Sequence, residues 1–346
     1  MSAPAPPELR LDGVEPLPAP PRRRGREPAL GRDPLASGLA LPFDAFVVPD
    51  VPTRPRRGTA RPRSRADVPR GPGPARGLGE RWLGDDVRRR LAELEARPPG
   101  DAFGLSPDAV RRALPLFLAL YRGWFRVESR GREHLPARGP ALLVGNHAGL
   151  LPFDGAMVSL DVWLGTDPPR LPRALFDPFV TRLGPLRRAF EALGPVLAGR
   201  ENLAALLAAG ELPLVFPEGV DGIVKPVSQR YRLRPFRTGF VRAALAVRAP
   251  IVPVAIVGSE NQAPVLWDVK PLARLLGLPV APITPTFPWL GPLGLLPYPV
   301  RYRIVYGEPI DVAGRADPEA ADDALLANGL AREVRRAVQR LLDRSR

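Results

Sequence analysis

Two patterns of apolar and polar positions divide the chain near Phe125. Before it, apolar residues recur at helical spacing over residues 79–97, which predicts an amphipathic helix. A second helix is predicted to begin at Ser106, because serine caps a helix and the following Pro107 suits its first turn. These two helices form a predicted helical lead-in over residues 77–124.

Beyond Phe125, short apolar runs alternate with helical patterns. Strands are predicted at residues 126–129, 141–145, 212–216, 251–257 and 300–306, and helices at 155–164, 203–209, 238–247 and 319–342. Strands that alternate with helices are typical of a sheet covered by helices on its faces. The predicted fold class is α/β, with a mixed central sheet flanked by helices, over residues 125–346.

The first 76 residues differ from the rest in composition. Pro, Arg, Gly and Ala dominate them, in runs such as Arg-Pro-Arg-Arg-Gly-Thr-Ala-Arg-Pro-Arg-Ser-Arg. Scattered proline prevents helix formation, and neighbouring arginines repel one another. We expect residues 1–76 to be a disordered tail, in which the apolar stretch 39–51 can dock on the body or on a partner.

The charge of the chain narrows the classes of partner. A net charge of +14 favours nucleic acid, an anionic membrane face or a phosphorylated substrate. The Arg-Pro runs of the tail have no interleaved aromatic residues for base stacking, which argues against nucleic acid. No apolar run is long enough for a spanning helix, so membrane contact is expected to be peripheral.

The absence of cysteine excludes disulfides, a thiolate nucleophile and zinc-thiolate sites. The N-terminus, Met-Ser-Ala-Pro-Ala-Pro-Pro, lacks the basic start and apolar core of a secretory signal. We therefore expect a cytoplasmic protein that binds peripherally to the cytoplasmic face of the membrane. The oligomeric state is not addressed by any of these features.

One of the two histidines has the setting of a catalytic base. His147 follows a buried apolar strand in Asn146-His147-Ala-Gly-Leu-Leu-Pro-Phe-Asp154, and strand ends are where α/β sheets bind ligands. A neutral imidazole can take the proton of an alcohol that attacks a thioester, and a carboxylate such as Asp154 fixes its tautomer. Direct transfer to the alcohol is then the simplest mechanism. His134 is interpreted as a surface-turn residue.

Two further segments place polar residues at predicted strand ends. In Phe216-Pro217-Glu218-Gly219, the carboxylate of Glu218 could bind a substrate hydroxyl, and Gly219 permits a tight turn beside it. The alternative is a strand ended by proline with a glutamate on its rim. Arg200 is a candidate phosphate clamp, because guanidinium binds phosphate in a bidentate manner, or else a solvated surface arginine.

Four sequence blocks, in their order along the chain, resemble the lysophospholipid and glycerolipid acyltransferase superfamily. The finer detail of the sequence is most similar to the monoacylglycerol acyltransferase-like bacterial branch of that superfamily. The blocks are Asn146-His147 with the following Asp154, residues 194–200, Phe216-Pro217-Glu218-Gly219, and residues 250–254. The resemblance covers about residues 125–311. It implies an O-acyltransferase that moves a fatty acyl group from acyl-CoA or acyl carrier protein to a hydroxyl of a glycerolipid, lysophospholipid or related lipid alcohol.

The resemblance also implies roles for residues. His147 is the general base and Asp154 its orienting carboxylate, and the substrate-binding residues are Asn146, Arg200, Phe216, Pro217, Glu218 and Gly219. It implies no metal and no cofactor beyond the acyl donor as co-substrate. Family members act at the membrane surface, so the apolar, proline-rich loop 282–299 is a candidate interface or acyl-chain lining, or else a core-packed loop.

The sequence departs from the family pattern at two places. Six residues separate His147 from Asp154, more than the family's usual spacing, which motivates the alternative of a catalytically silent homologue that holds lipid at a membrane. Val220-Asp221 replaces the usual Thr-Arg pair after Gly219, which favours a neutral acceptor unless another basic residue supplies the charge. The candidates for that replacement are Lys225, Arg230 and Arg234.

Overall fold

The described part of the chain comprises residues 83–97, 101–149, 151–182, 184–276 and 280–346 of a computed structural model. The predicted disordered tail, residues 1–76, lies outside these residues, together with its apolar stretch 39–51. Both therefore stay predictions.

Two helices precede the sheet, as the apolar spacing predicts. Helix α1 spans Asp85–Glu95, and helix α2 spans Pro107–Ala119 and continues into a π-helical turn at Leu120–Trp124. The start of α2 has the predicted cap, because Ser106 Oγ accepts a hydrogen bond of 3.3 Å from the Ala109 N–H. These helices pack their buried leucines against one face of the sheet.

The strands confirm a mixed sheet. Their bounds are β1 Glu128–Arg130, β2 Leu142–Gly145, β3 Arg173–Phe176, β4 Val196–Leu197, β5 Pro213–Val215, β6 Ile251–Val257, β7 Trp267–Asp268, β8 Pro282–Ile283 and β9 Arg303–Tyr306. Within the described residues, seven strands form one sheet in the order β1-β9-β6-β2-β5-β3-β4, and β7 pairs with β8 separately. Neighbours in the large sheet are parallel except β6 and β9, which are antiparallel.

The remaining helices lie between or after these strands. Their bounds are α3 Phe153–Gly165, α4 Gly184–Leu193, α5 Arg200–Ala208, α6 Val220–Ile223, α7 Gly239–Ala246, α8 Lys270–Leu276 and α9 Ala324–Ser345. The pattern predicts α3, α5, α7 and α9 within a few residues of their ends. The prediction lacks strands β3, β4, β7 and β8 and helices α4, α6 and α8.

Strand β2 is buried on both faces, which explains its continuous apolar run. Leu143 packs on the side of α2 and α3, whereas Leu142 and Val144 pack on the side of α5, α7 and α9. The two neighbours of β2 run parallel to it, so the carboxyl ends of β5, β2 and β6 lie at one edge of the sheet. The segments that follow these three strands therefore meet.

A buried carboxylate ties α3 to the sheet. Asp161 accepts hydrogen bonds from the hydroxyls of Tyr121 at 2.5 Å, Ser129 at 2.8 Å and Tyr306 at 2.8 Å, and it forms an ion pair with Arg132. Burial, and next the negative charge of Asp161, raises the pKa of both tyrosines, so their hydroxyls stay protonated and donate. The cluster holds α3 against β1, β9 and the π-helical turn.

Replacing this carboxylate tests how firmly α3 is held. Asp161→Ala leaves Arg132 and three hydroxyls without their acceptor, so we expect the free energy of unfolding to fall by about 3 kcal/mol. Urea denaturation measures the change. Asp85→Ala, which removes an exposed ion pair with Arg88, is the control and should change stability by less than about 1 kcal/mol. Equal effects of the two substitutions would contradict this role for Asp161.

Candidate active site

His147 and Asp154 meet in the turn between β2 and α3. Asp154 Oδ2 lies 2.7 Å from His147 Nδ1, so this ring nitrogen carries the proton that the carboxylate accepts. The histidine side chain is 15% exposed and the aspartate is fully buried. Nε2 has no hydrogen-bond partner among the described residues. It is therefore free to accept a proton from a bound hydroxyl.

The six intervening residues bend so that the carboxylate returns to the imidazole. Gly149 has a φ of +92°, and a Cβ there would lie 1.7 Å from the Gln262 side-chain nitrogen, so a larger residue would strain the backbone and displace Gln262. Asp154 lies in the first turn of α3, where the helix dipole favours a negative charge. Its carboxylate also accepts hydrogen bonds from the Ala148 N–H at 3.1 Å and the Gly155 N–H at 2.7 Å.

The surroundings raise the pKa of His147 above its ordinary value. Burial alone disfavours the charged imidazolium and lowers this pKa. The charge and hydrogen bond of Asp154, with the charge of Glu218, outweigh burial, although Lys225 opposes them. A raised pKa makes the imidazole a stronger base toward an alcohol.

Phe216 forms a floor under the imidazole. The two rings are stacked, with centroids 4.6 Å apart and planes 16° from parallel. Gly145 and Gly155 leave room for the phenyl ring, since a Cβ would lie 3.2 Å from it at the first position and 3.4 Å at the second. Phe216, the residue directly after β5, thus fixes the plane of the His147 ring.

The Glu218 carboxylate holds the backbone of the His147 turn. Its carboxylate accepts hydrogen bonds from the His147 N–H at 3.2 Å and the Arg234 N–H at 2.8 Å. Lys225 Nζ lies 3.2 Å from Glu218 and 2.9 Å from Glu260, and all three side chains are buried. The sequence suggests a substrate hydroxyl as the partner of Glu218, whereas the structure gives this carboxylate partners within the chain.

Asn146 also has partners within the chain. Its side-chain nitrogen donates to the Ile256 carbonyl at 3.1 Å, and its oxygen accepts from the Ile256 N–H at 2.7 Å. The residue is fully buried, so its amide joins the ends of β2 and β6 and is not directed at a substrate. Pro217, also buried, ends β5 and accepts a hydrogen bond from the Arg237 N–H at 3.2 Å.

Arg200 lies at the same edge of the sheet but away from the base. It begins α5, and its guanidinium pairs with Asp322 at 2.9 Å. Strand β4 precedes it and lies three strands from β2, which corresponds to about 14 Å across the sheet. Arg200 can therefore contact only a part of the substrate that is remote from the reacting hydroxyl.

Arg237 is a basic residue of the site that the sequence does not single out. Its guanidinium lies against Gly219, which has a φ of +58°, and a Cβ built on this glycine would be 3.5 Å from Arg237 Cζ. The side chain is exposed and has no hydrogen-bond or ion-pair partner in the described chain. Lys225 is buried between two carboxylates and is not available, whereas the Arg237 guanidinium lies free beside the Gly219 turn.

A shallow depression opens beside the His147 turn. Its apolar lining consists mainly of Ala148, Gly149, Ile223, Val227, Ala263 and Val265. Within the described ranges, no group of His, Asp and Glu side chains is arranged to hold a metal ion. Lys225, Arg230 and Glu260 add polar groups to the lining of the depression. His147 Nε2 and the Arg237 guanidinium belong to the neighbouring turns.

The chain is similar to several known proteins. A family model described as Acyltransferase matches residues 126–257. An uncharacterized protein from Mycobacterium tuberculosis is 46% identical over 248 residues, which cover 70% of this chain and 68% of that protein. The DGAT1/2-independent enzyme synthesizing storage lipids from Gallus gallus is 27% identical over 228 residues, 65% of this chain and 64% of that enzyme.

One solved structure is also similar. The crystal structure of the 1-acyl-sn-glycerophosphate (LPA) acyltransferase PlsC from Thermotoga maritima aligns with a TM-score of 0.44 and 19% identity, covering 77% of this chain and 86% of that one.

The region that matches the family model contains the turn of His147 and Asp154, the Phe216 floor and Arg237. The Mycobacterium relative extends the similarity over more than two thirds of both chains. The chain belongs to the acyltransferase family that its sequence blocks indicate.

Proposed function

We propose that this acyltransferase moves a fatty acyl group from acyl-CoA or an acyl carrier protein to the hydroxyl of a glycerolipid, lysophospholipid or related lipid alcohol. The observation that carries the proposal is the 2.7 Å contact between His147 Nδ1 and Asp154, which leaves Nε2 free as a base. The Gallus gallus relative is named for the synthesis of storage lipids, which agrees with a lipid acceptor.

The reaction moves one proton twice. His147 Nε2 accepts the proton of the acceptor hydroxyl while the oxygen attacks the thioester carbonyl carbon. The imidazolium that forms is stabilised by Asp154, which remains ionised. When the tetrahedral intermediate collapses, the C–S bond breaks and the imidazolium returns the proton to the thiolate. The products are an ester and a free thiol, so no acyl-enzyme is required.

In this proposal, Arg237 supplies the positive charge that contacts the acceptor. The Thr-Arg pair of the family is replaced by Val220-Asp221, and this change by itself favours a neutral lipid alcohol. Arg237 places a guanidinium beside the same turn from a different segment. A phosphorylated acceptor would gain a charge-assisted hydrogen bond there, whereas a monoacylglycerol would not.

The alternative function is a catalytically silent homologue that binds lipid. Its motivation was the longer spacing between His147 and Asp154, but the intervening turn closes a hydrogen bond of 2.7 Å. The spacing therefore gives no support to a silent site. The alternative still predicts a distinct result, namely liposome binding without release of CoA from any donor.

Substitution of the two histidines tests the role of His147. A general base contributes a factor of about 10² to 10⁴ to the rate, so His147→Ala should lower the release of CoA by that factor. His134→Ala is the matched control, because His134 contacts only the Tyr306 carbonyl at 2.9 Å, and it should retain most activity. Both proteins should keep the far-UV circular dichroism of the parent. Equal turnover of the two variants would remove His147 from the mechanism.

The pH dependence of the rate tests the Asp154 partner. His147 accepts a proton only when neutral, so kcat/KM should fall as the pH drops through its pKa, which lies above the ordinary 6.5. Asp154→Asn removes the charge that raises this pKa. We expect the acid limb to move to lower pH and the maximal rate to fall by about 10² or more. An acid limb at an unchanged pH would show that Asp154 does not set the basicity of His147.

Paired acceptors test the role of Arg237. Loss of one charged hydrogen bond costs about 1.5–3 kcal/mol, so Arg237→Gln should raise KM for 1-acylglycerol 3-phosphate at least tenfold. KM for a monoacylglycerol should change less than about twofold, since this acceptor makes no such bond. Arg315→Gln is the control, because Arg315 is exposed and pairs with Glu333 at 2.5 Å, and it does not line the depression beside His147. Equal changes for both acceptors, or no turnover of the phosphorylated one, would contradict this role.

A further inference from the structure

Exposed apolar side chains are concentrated in one segment, residues 266–296. Of the 13 large hydrophobic side chains that are exposed in the described chain, eight belong to it. We call these eight the apolar surface: Leu266, Trp267, Leu272, Leu275, Trp289, Leu290, Leu293 and Leu296. Concentrated exposed apolar side chains on a folded protein are typical of a binding surface.

These side chains are exposed although hydrogen bonds order the backbone around them. The Leu266 N–H donates to the Ile283 carbonyl at 2.8 Å, which joins β7 to β8. Thr286 Oγ1 donates to the Gly294 carbonyl at 2.9 Å and closes the following loop. Trp289 is nevertheless 75% exposed. The sequence-based alternative of a core-packed loop over residues 282–299 is therefore wrong for this side chain.

Residues that flank the segment on both sides are bonded to the surroundings of His147. The Val227 N–H donates to the Val265 carbonyl at 3.2 Å, next to Lys225. At the other end, the Tyr298 N–H donates to the Gln262 carbonyl at 2.7 Å, and the Gln262 side chain donates to the Ala148 carbonyl at 3.2 Å. The apolar surface thus adjoins the turn that carries the proposed base.

The charges of the segment complement an anionic surface. Asp268, Lys270 and Arg274 are its only charged residues. Asp268 accepts a hydrogen bond from the Ala281 N–H at 3.1 Å, whereas Lys270 and Arg274 are exposed on α8. Neither cation has an ion-pair partner within the described ranges. The whole chain carries a net charge of +14, which adds attraction to anionic lipid.

Tryptophan and leucine beside free cations are the side chains that bind at a lipid interface. The indole ring is amphipathic and prefers the headgroup level, while leucine enters the acyl region. No helix of the described chain is long and apolar enough to cross a membrane. The contact that these residues can make is therefore with one face of a bilayer.

We propose that the apolar surface inserts into the interface of an anionic lipid bilayer and holds the His147 turn beside lipid hydroxyls. The inference takes a lipid acceptor from the proposed function, but the membrane contact itself does not require turnover. It assigns bilayer binding to the eight side chains of the apolar surface and not to the arginine-rich tail.

Vesicle flotation of full-length variants tests this assignment. Leu275→Ser/Leu293→Ser removes two side chains that are 82% and 70% exposed. The matched control is Leu186→Ser/Leu325→Ser, on α4 and α9, where the side chains are 42% and 86% exposed. Vesicles contain equal parts of phosphatidylcholine and phosphatidylglycerol, and high salt suppresses binding by the tail. We expect the first variant to partition about tenfold or more weakly than the parent, and the control to match the parent.

Tryptophan quenching by brominated lipids gives a second readout. The test uses a Trp124→Phe background, because Trp124 is 42% exposed and donates to the Pro297 carbonyl next to the segment. Trp267 and Trp289 should then be quenched in vesicles, and adding Trp267→Phe/Trp289→Phe should remove most of this quenching. Equal partitioning of the two serine variants, or quenching that survives the phenylalanine variant, would overturn the inference. So would a dimer in sedimentation velocity that Leu275→Ser/Leu293→Ser dissociates without changing vesicle binding, since the surface would then bind a second copy of the chain.

The same samples separate failure of this inference from failure of the proposed function. CoA release is measured with a short-chain acyl-CoA and a water-soluble acceptor, which do not need a bilayer. If CoA is released but partitioning does not depend on the apolar surface, the docking inference fails and the proposed function stands. If partitioning depends on the surface but no sample releases CoA, the proposed function fails and the docking inference stands.

Discussion

The hydrogen bond between His147 and Asp154 places a proton on Nδ1 and leaves Nε2 free for the proposed role of base, and the fold restrains both partners. His147 follows β2, which is buried on both faces between two parallel neighbours. Asp154 lies in α3, which Asp161 ties to the sheet through three hydroxyls and an arginine. Phe216 fixes the plane of the imidazole from a third element. A small shift of any of these elements would lengthen the contact.

The buried charged side chains at this edge of the sheet hold segments of the backbone in place. Isolated charges are costly to bury, but Lys225 lies between Glu218 and Glu260, and each carboxylate also accepts a backbone N–H. The polar groups left without a partner in the described chain include His147 Nε2 and the Arg237 guanidinium. In the proposed function they serve as the base and as the contact for a charged acceptor.

The sequence predicts those elements whose pattern is complete within a short window. A strand buried on both faces must be continuously apolar, so β2 and β6 are predicted closely. Strand β3 is missed because it begins with Arg173, whose buried guanidinium is bonded to the Gly194 carbonyl and Asp101, partners far along the chain. The sequence predicts that His147 and Glu218 follow buried strands. It does not predict the partners of Glu218 or the contact of Arg237 with Gly219, because these depend on residues that are distant along the chain.

The most direct test of the account is the protonation of His147 itself. The chain has two histidines, so ¹⁵N-histidine labelling gives a simple spectrum in which His134→Gln assigns the remaining ring. The account predicts that His147 titrates with a pKa above 6.5 and that its neutral form carries the proton on Nδ1. A pKa below 6.5, or a neutral ring protonated on Nε2, would contradict a base oriented by Asp154.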